Sequence, residues 1–137
     1  MGMPEMNFMI QTAIFAVVLL SMAFRLKGNY LLHGITMVAA VASGLVIFAL
    51  ASTLLSDSNY TQTLMNPTLH MAVFGLHGFF GITTFISRVW LVALWRPKST
   101  EFPARSNRIA KIATILWTSS YAIGALLFVT LNTSLFA

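Results

Sequence analysis

The chain has no cysteine, and its 137 residues include only three acids, Glu5, Asp57 and Glu101. Without cysteine there is no disulfide, no thiolate metal site and no covalent c-type haem attachment, so any metal must be held by histidine, methionine or oxygen. The three acids fall outside the long apolar stretches, which leaves those stretches no carboxylate for a proton relay or for a di-iron site of the Glu-x-x-His kind. Catalytic signatures are missing too. No Ser-His-Asp set, Gly-rich phosphate loop or His-Glu-x-x-His run occurs, so a self-contained hydrolase is not expected and the chain reads as a non-enzyme.

What the chain has in abundance is apolar surface. Hydrophobic residues make up 58% and charged residues 8%, with a mean hydropathy of +0.83; soluble domains run at roughly half apolar and about a quarter charged. Four apolar stretches, 8–26, 30–55, 67–95 and 107–132, each exceed or approach the roughly 20 helical residues that cross a hydrocarbon core. Their short connections predict an all-α integral membrane protein, one antiparallel four-helix bundle forming a single transmembrane domain over 1–137. Glu5 precedes the first stretch and no Lys or Arg does, so that stretch reads as a retained span, not a cleaved leader.

The basic residues set an orientation. Arg25 and Lys27 lie in the first connection, Arg96, Lys98, Arg105, Arg108 and Lys111 lie around the third, and the second connection and both termini have none. The positive-inside rule then puts those two loops in the cytoplasm and both termini outside a plasma membrane. The net charge of +5 is accounted for by anionic headgroups at that rim, and nucleic acid is not implied.

Local signals mark the helix ends. Gly28 and Asn29 are stop and restart residues, Asn66-Pro67 opens the third helix, and Pro97 and Pro103 interrupt the linker before Ser106 or Asn107 caps the fourth. Gly34, Ala39, Ala40, Ala42, Ser43 and Gly44 permit close helix approach in the second helix, and Gln11, Thr12 and Ser21 read as packing groups in the first. Trp117, Thr118, Ser119, Ser120, Tyr121 and Gly124 are expected to face the bundle, because a hydroxyl without a partner in lipid is costly.

The third helix carries the candidate site. His70, Phe74, His77, Gly81, Thr84 and Arg88 recur at intervals of three, four or seven and so share one stripe, which must face something other than lipid. His70 and His77 are about 10 Å apart along the axis at 1.5 Å per residue, too far for both to bind one ion without a bend. His33 lies near the cytoplasmic surface and His70 near the outer one, so their depths do not match for a bis-histidine haem site. What is left is one-sided ligation, for instance His77 with a methionine such as Met37 or Met71, or a site completed by another chain. The candidates are therefore His33, His70, His77 and Arg88 for a cofactor such as haem or copper, and His70 and His77 for a metal. For His33 and His70 the competing reading is an interfacial residue bonded to backbone or headgroup. For Arg88, under two turns from Trp95, it is a side chain snorkelling to the cytoplasmic headgroups; the functional alternative is a partner for a carboxylate or haem propionate supplied by another molecule.

The run Arg25-Leu26-Lys27-Gly28-Asn29-Tyr30-Leu31-Leu32-His33-Gly34, the helix-start His70, and Arg108-Ile109-Ala110-Lys111 leading to Trp117, Ser120 and Gly124 together resemble the CtaM/YozB-like family of small four-helix membrane proteins, the domain of unknown function numbered 420. The resemblance covers the chain from the end of the first helix onward. It implies association with haem-copper terminal oxidases and a part in oxidase maturation. It also marks His33 and His70 as helix-start histidines and Arg108 as part of a basic motif. The chain departs from the pattern at Ser106, where a further histidine is expected, and at Ile115, where a proline is, which favours a protein that kept the fold and shed ligands.

Three functions follow. The first is a non-catalytic accessory subunit or maturation factor of a respiratory haem-copper oxidase or related copper-dependent membrane enzyme, with other integral membrane subunits and lipids as partners. The second is a small haem-binding or metal-binding protein that uses His77 with His70 or His33 for electron transfer or cofactor delivery. The third, a small-solute transporter or channel, has the lack of internal acids and of an inverted repeat against it.

Overall fold

The computed structural model describes residues 2–59, 62, 68–95 and 104–132, with the side chains of residues 3, 68–70, 104–106 and 132 excepted. Among the described residues four long helices make up the fold: α1 (Met3–Leu26), α2 (Tyr30–Ser56), α3 (Thr68–Leu94) and α4 (Ala104–Asn132). All four are long and apolar enough to cross a membrane, and no strand occurs among the described residues. Large apolar side chains such as Leu20, Ile35, Leu45, Phe79, Ile86 and Ile115 are exposed around the outside. In water such a surface would be a liability; in lipid it is the solvated face.

Two helix ends differ from the sequence reading. The first helix begins about a turn earlier, at Met3, because Pro4 and Glu5 suit a first turn although the apolar run starts only at Phe8. The fourth begins at Ala104, directly after Pro103, so Asn107 is not its cap. Asn107 instead offers Oδ1 to the Arg25 guanidinium, tying the end of α1 to the start of α4. The turn between α1 and α2 is as expected. Gly28 takes φ +75°, a left-handed conformation open to glycine, and Asn29 Oδ1 accepts from Leu32 N at 3.1 Å to cap α2. Asn66 and Pro67, like the Pro97–Pro103 linker, lie outside the described residues.

The four helices pair as two tight hairpins, α1 with α2 and α3 with α4, while α1 against α4 and α2 against α3 meet more sparsely. Each hairpin has a serine–histidine clasp. In the first, Ser21 Oγ donates to the His33 carbonyl at 3.0 Å, and His33 Nδ1 lies 2.9 Å from the Ser21 carbonyl. In the second, Ser120 Oγ donates to the His77 carbonyl at 3.3 Å, and His77 Nδ1 lies 2.8 Å from the Ser120 carbonyl. Each clasp satisfies a buried hydroxyl, Ser21 or Ser120, together with the imidazole that lies against it.

Aromatic contacts hold the sparser seams. Between α1 and α4, Phe8 stacks on Phe128 at 4.3 Å, Phe15 on Tyr121 at 4.3 Å, and Thr12 shares a 2.9 Å hydrogen bond with Tyr121. Between α2 and α3, Phe48 meets Phe85 at 5.6 Å, and Trp95 lies so close over Gly34 that a methyl group there would enter the indole. A small core of Ile14, Val18 and Ala40 joins α1 to α2 and receives the edge of Trp117 from α4. Ala39 and Ala42, by contrast, are exposed, so only part of the small-residue run serves close approach.

Candidate functional site

Tight hairpins and loose seams leave space at the centre. A cavity of about 620 Å³ lies between the hairpins, lined by all four helices. The stripe read from α3 faces it: Phe74, His77, Gly81, Thr84 and Arg88 are all lining residues, and the side chain of His70 lies outside those described. From Arg88 to Phe74 the lining follows 14 residues of α3, about 21 Å of helix. Pro4, Leu55 and Leu131 line it at the far end, where the helices terminate away from the Gly28 turn.

Across the bundle, α4 contributes Trp117, Ser120, Tyr121 and Gly124, as the sequence predicts. Thr118 departs from that expectation. It is exposed on the outer face, where its hydroxyl donates to the Thr114 carbonyl of the preceding turn at 3.0 Å and so needs no partner inside. Thr36, Ser43, Thr83 and Ser87 solve the same problem in the same way.

His77 is held between α3 and α4. Its ring rests on Gly124, where an added methyl carbon would lie 2.6 Å from Cε1. With Nδ1 against the Ser120 carbonyl, the tautomer that donates there carries its proton on Nδ1 and leaves Nε2 as an acceptor. Orienting one imidazole nitrogen through the other in this way is how proteins prepare a histidine to ligate or accept.

Arg88 does not snorkel. It is 3% exposed and turned into the bundle, because Met37, Thr114 and Trp117 surround its guanidinium before it can reach the helix end. Nη1 lies 3.3 Å from Met37 Sδ, Nη2 donates to Thr114 Oγ1 at 2.9 Å, and the guanidinium carbon stands 4.8 Å from the centre of the Trp117 ring. None of these partners carries negative charge. Nε has no partner, and among the described residues no acid pairs with Arg88. One turn earlier on the same face, Thr84 is 4% exposed and its hydroxyl is unpaired. The other buried hydroxyls among the described residues, Ser21 and Ser120, are both satisfied.

The histidines are not brought together. His33 belongs to the first clasp and is not a lining residue, whereas His77 belongs to the second and is. His70 sits in the first turn of α3, at the opposite end of the bundle from His33 in the first turns of α2. Among the described residues no group of three or more His, Asp or Glu side chains is placed to hold a metal. A metal at His77 therefore needs ligands beyond that set. Arg88 lines the same cavity about 16 Å further along the α3 axis, so the imidazole and the cation stand at separate levels of it. Comparison of the chain with protein-family models, with curated proteins and with solved structures gives no match.

Proposed function

We propose that this chain is a non-catalytic integral membrane protein that serves a respiratory haem-copper oxidase, or a related copper-dependent enzyme of the plasma membrane, as an accessory subunit or maturation factor. Its basic loops face the cytoplasm and both termini face outside. The observation that carries the reading is the incompleteness of the central site. One oriented imidazole, His77, and one buried cation, Arg88, face a cavity that all four helices line, and they stand too far apart along α3 to act on one atom. Such a site holds or presents what another molecule completes. The resemblance of the Arg25–Gly34 run and the Arg108–Lys111 motif to the CtaM/YozB-like family supports the choice of partner.

A second reading rests on the His77–Ser120 bond. By fixing Nδ1 it leaves Nε2 for a haem iron, which makes the chain a small haem-binding protein for electron transfer or delivery. Two measurements separate these readings. Purification in mild detergent is expected to retain integral membrane subunits of an oxidase in fixed ratio, and His77→Ala to lower oxidase assembly or activity. An absorbance spectrum of the reduced protein with a haem band lost in His77→Ala favours the second. Neither a partner, nor a band, nor an effect of His77→Ala would remove both.

A further inference from the structure

We propose that the cavity between the two hairpins binds one single-chain amphiphile with an oxyanion head, the head on Arg88 and Thr84 and the chain along the apolar lining towards Phe8 and Phe128. Two features of the Arg88 end point to an anion. Arg88 is 3% exposed, carries a charge that no described acid offsets, and has an unpartnered Nε. Thr84, one turn away on the same face, is 4% exposed with an unpartnered hydroxyl. A carboxylate or phosphate oxygen accepts from both, and a neutral guest leaves the charge uncompensated.

The rest of the cavity selects a chain. Beyond Thr84 the lining is chiefly aliphatic and aromatic over the roughly 21 Å of α3 that separates Arg88 from Phe74. Arg88 lies six residues, about 9 Å, from the last residue of α3. A head bound there sits near one interface with its tail in the hydrocarbon, the attitude a lipid of that leaflet already has. The inference holds whichever enzyme the protein serves.

The test uses the full-length chain, delipidated in a non-ionic detergent and titrated with oleate, oleoyl lysophosphatidate and methyl oleate, with bound ligand counted by native mass spectrometry. Oleate and lysophosphatidate are expected to add once per chain, and whichever binds tighter tells a fatty-acid source from a phospholipid one. Methyl oleate is expected to bind at least 10-fold more weakly, as one charge-assisted hydrogen bond implies. Arg88→Gln is expected to weaken the anionic ligands about 10- to 100-fold, and Arg108→Gln, an exposed cation outside the cavity, to leave them unchanged. Gly78→Leu provides a variant that does not touch the charge: Gly78 lines the cavity with nothing within 4 Å of an added methyl carbon, so the larger side chain obstructs the tail and lowers binding of the anionic amphiphiles. Equal binding of methyl oleate and oleate, or full affinity in both Arg88→Gln and Gly78→Leu, overturns the proposal.

Discussion

Replacing Arg88 by methionine asks whether its charge serves the fold or a guest. The substitution removes the hydrogen bond to Thr114, about 1.5–3 kcal/mol for a charged donor, and the contact with Trp117, about 2 kcal/mol when desolvated. It also removes the cost of keeping an unneutralised cation out of water, several kcal/mol per ion after relaxation, and of an unpaired Nε, about 1–3 kcal/mol. The opposing terms are of equal size, so Arg88→Met is expected to change the stability of the guest-free protein by less than about 2 kcal/mol. Thr114→Val acts differently, because the charge stays and loses its acceptor; a loss of about 1–3 kcal/mol is expected. In the Arg88→Met background the same change is expected to cost far less, and the difference measures the coupling. Unfolding by sodium dodecyl sulfate in mixed micelles, followed by circular dichroism, gives all four stabilities. A loss above about 4 kcal/mol for Arg88→Met would refute the reasoning, since it would mean that the fold itself depends on the cation.

Other variants test the packing around the site. Gly124→Ala puts a methyl carbon 2.6 Å from His77 Cε1, and is expected to displace the ring and destabilise by about 1–3 kcal/mol; an unchanged melting temperature would contradict this. Ser21→Ala removes the bond from a fully buried hydroxyl to the His33 carbonyl and keeps the backbone carbonyl that meets His33 Nδ1, and a loss of about 1–3 kcal/mol is expected in the same micelle titration. Tyr121→Phe keeps the stack on Phe15 and loses the bond to Thr12, so the expected cost is only about 0.5–1.5 kcal/mol. If it instead separated the hairpins, seen as accelerated proteolysis, the aromatic seam would not be what joins them.

The stripe on α3 was readable because helical periodicity fixes which side chains share a face, and polar groups in an apolar helix avoid lipid. Phe74, His77, Gly81, Thr84 and Arg88 accordingly all reach the cavity. The cavity itself was not readable, since hydropathy is the same for four evenly packed helices as for two hairpins with a gap. Arg88 shows the limit most plainly: its distance from Trp95 permits snorkelling, and only the positions of Met37, Thr114 and Trp117 turn it inward. The clasps were hidden for a similar reason. Ser21 looks like any small polar residue until α2 returns His33 to its level, 12 residues along the chain. Thr118 misled because a hydroxyl satisfied within its own helix can face lipid freely.

The absence of cysteine makes the central claim directly measurable, because a single introduced thiol reports one position. Thr84 and Ile86 lie two residues apart on α3, one 4% exposed beside the cavity and the other 63% exposed on the outside. Spin labels on Thr84→Cys and Ile86→Cys, in liposomes, are to be compared for collision with oxygen dissolved in the acyl chains. Frequent collision at position 86 and protection at 84 are expected; equal collision at both would mean that α3 does not turn its polar stripe away from lipid.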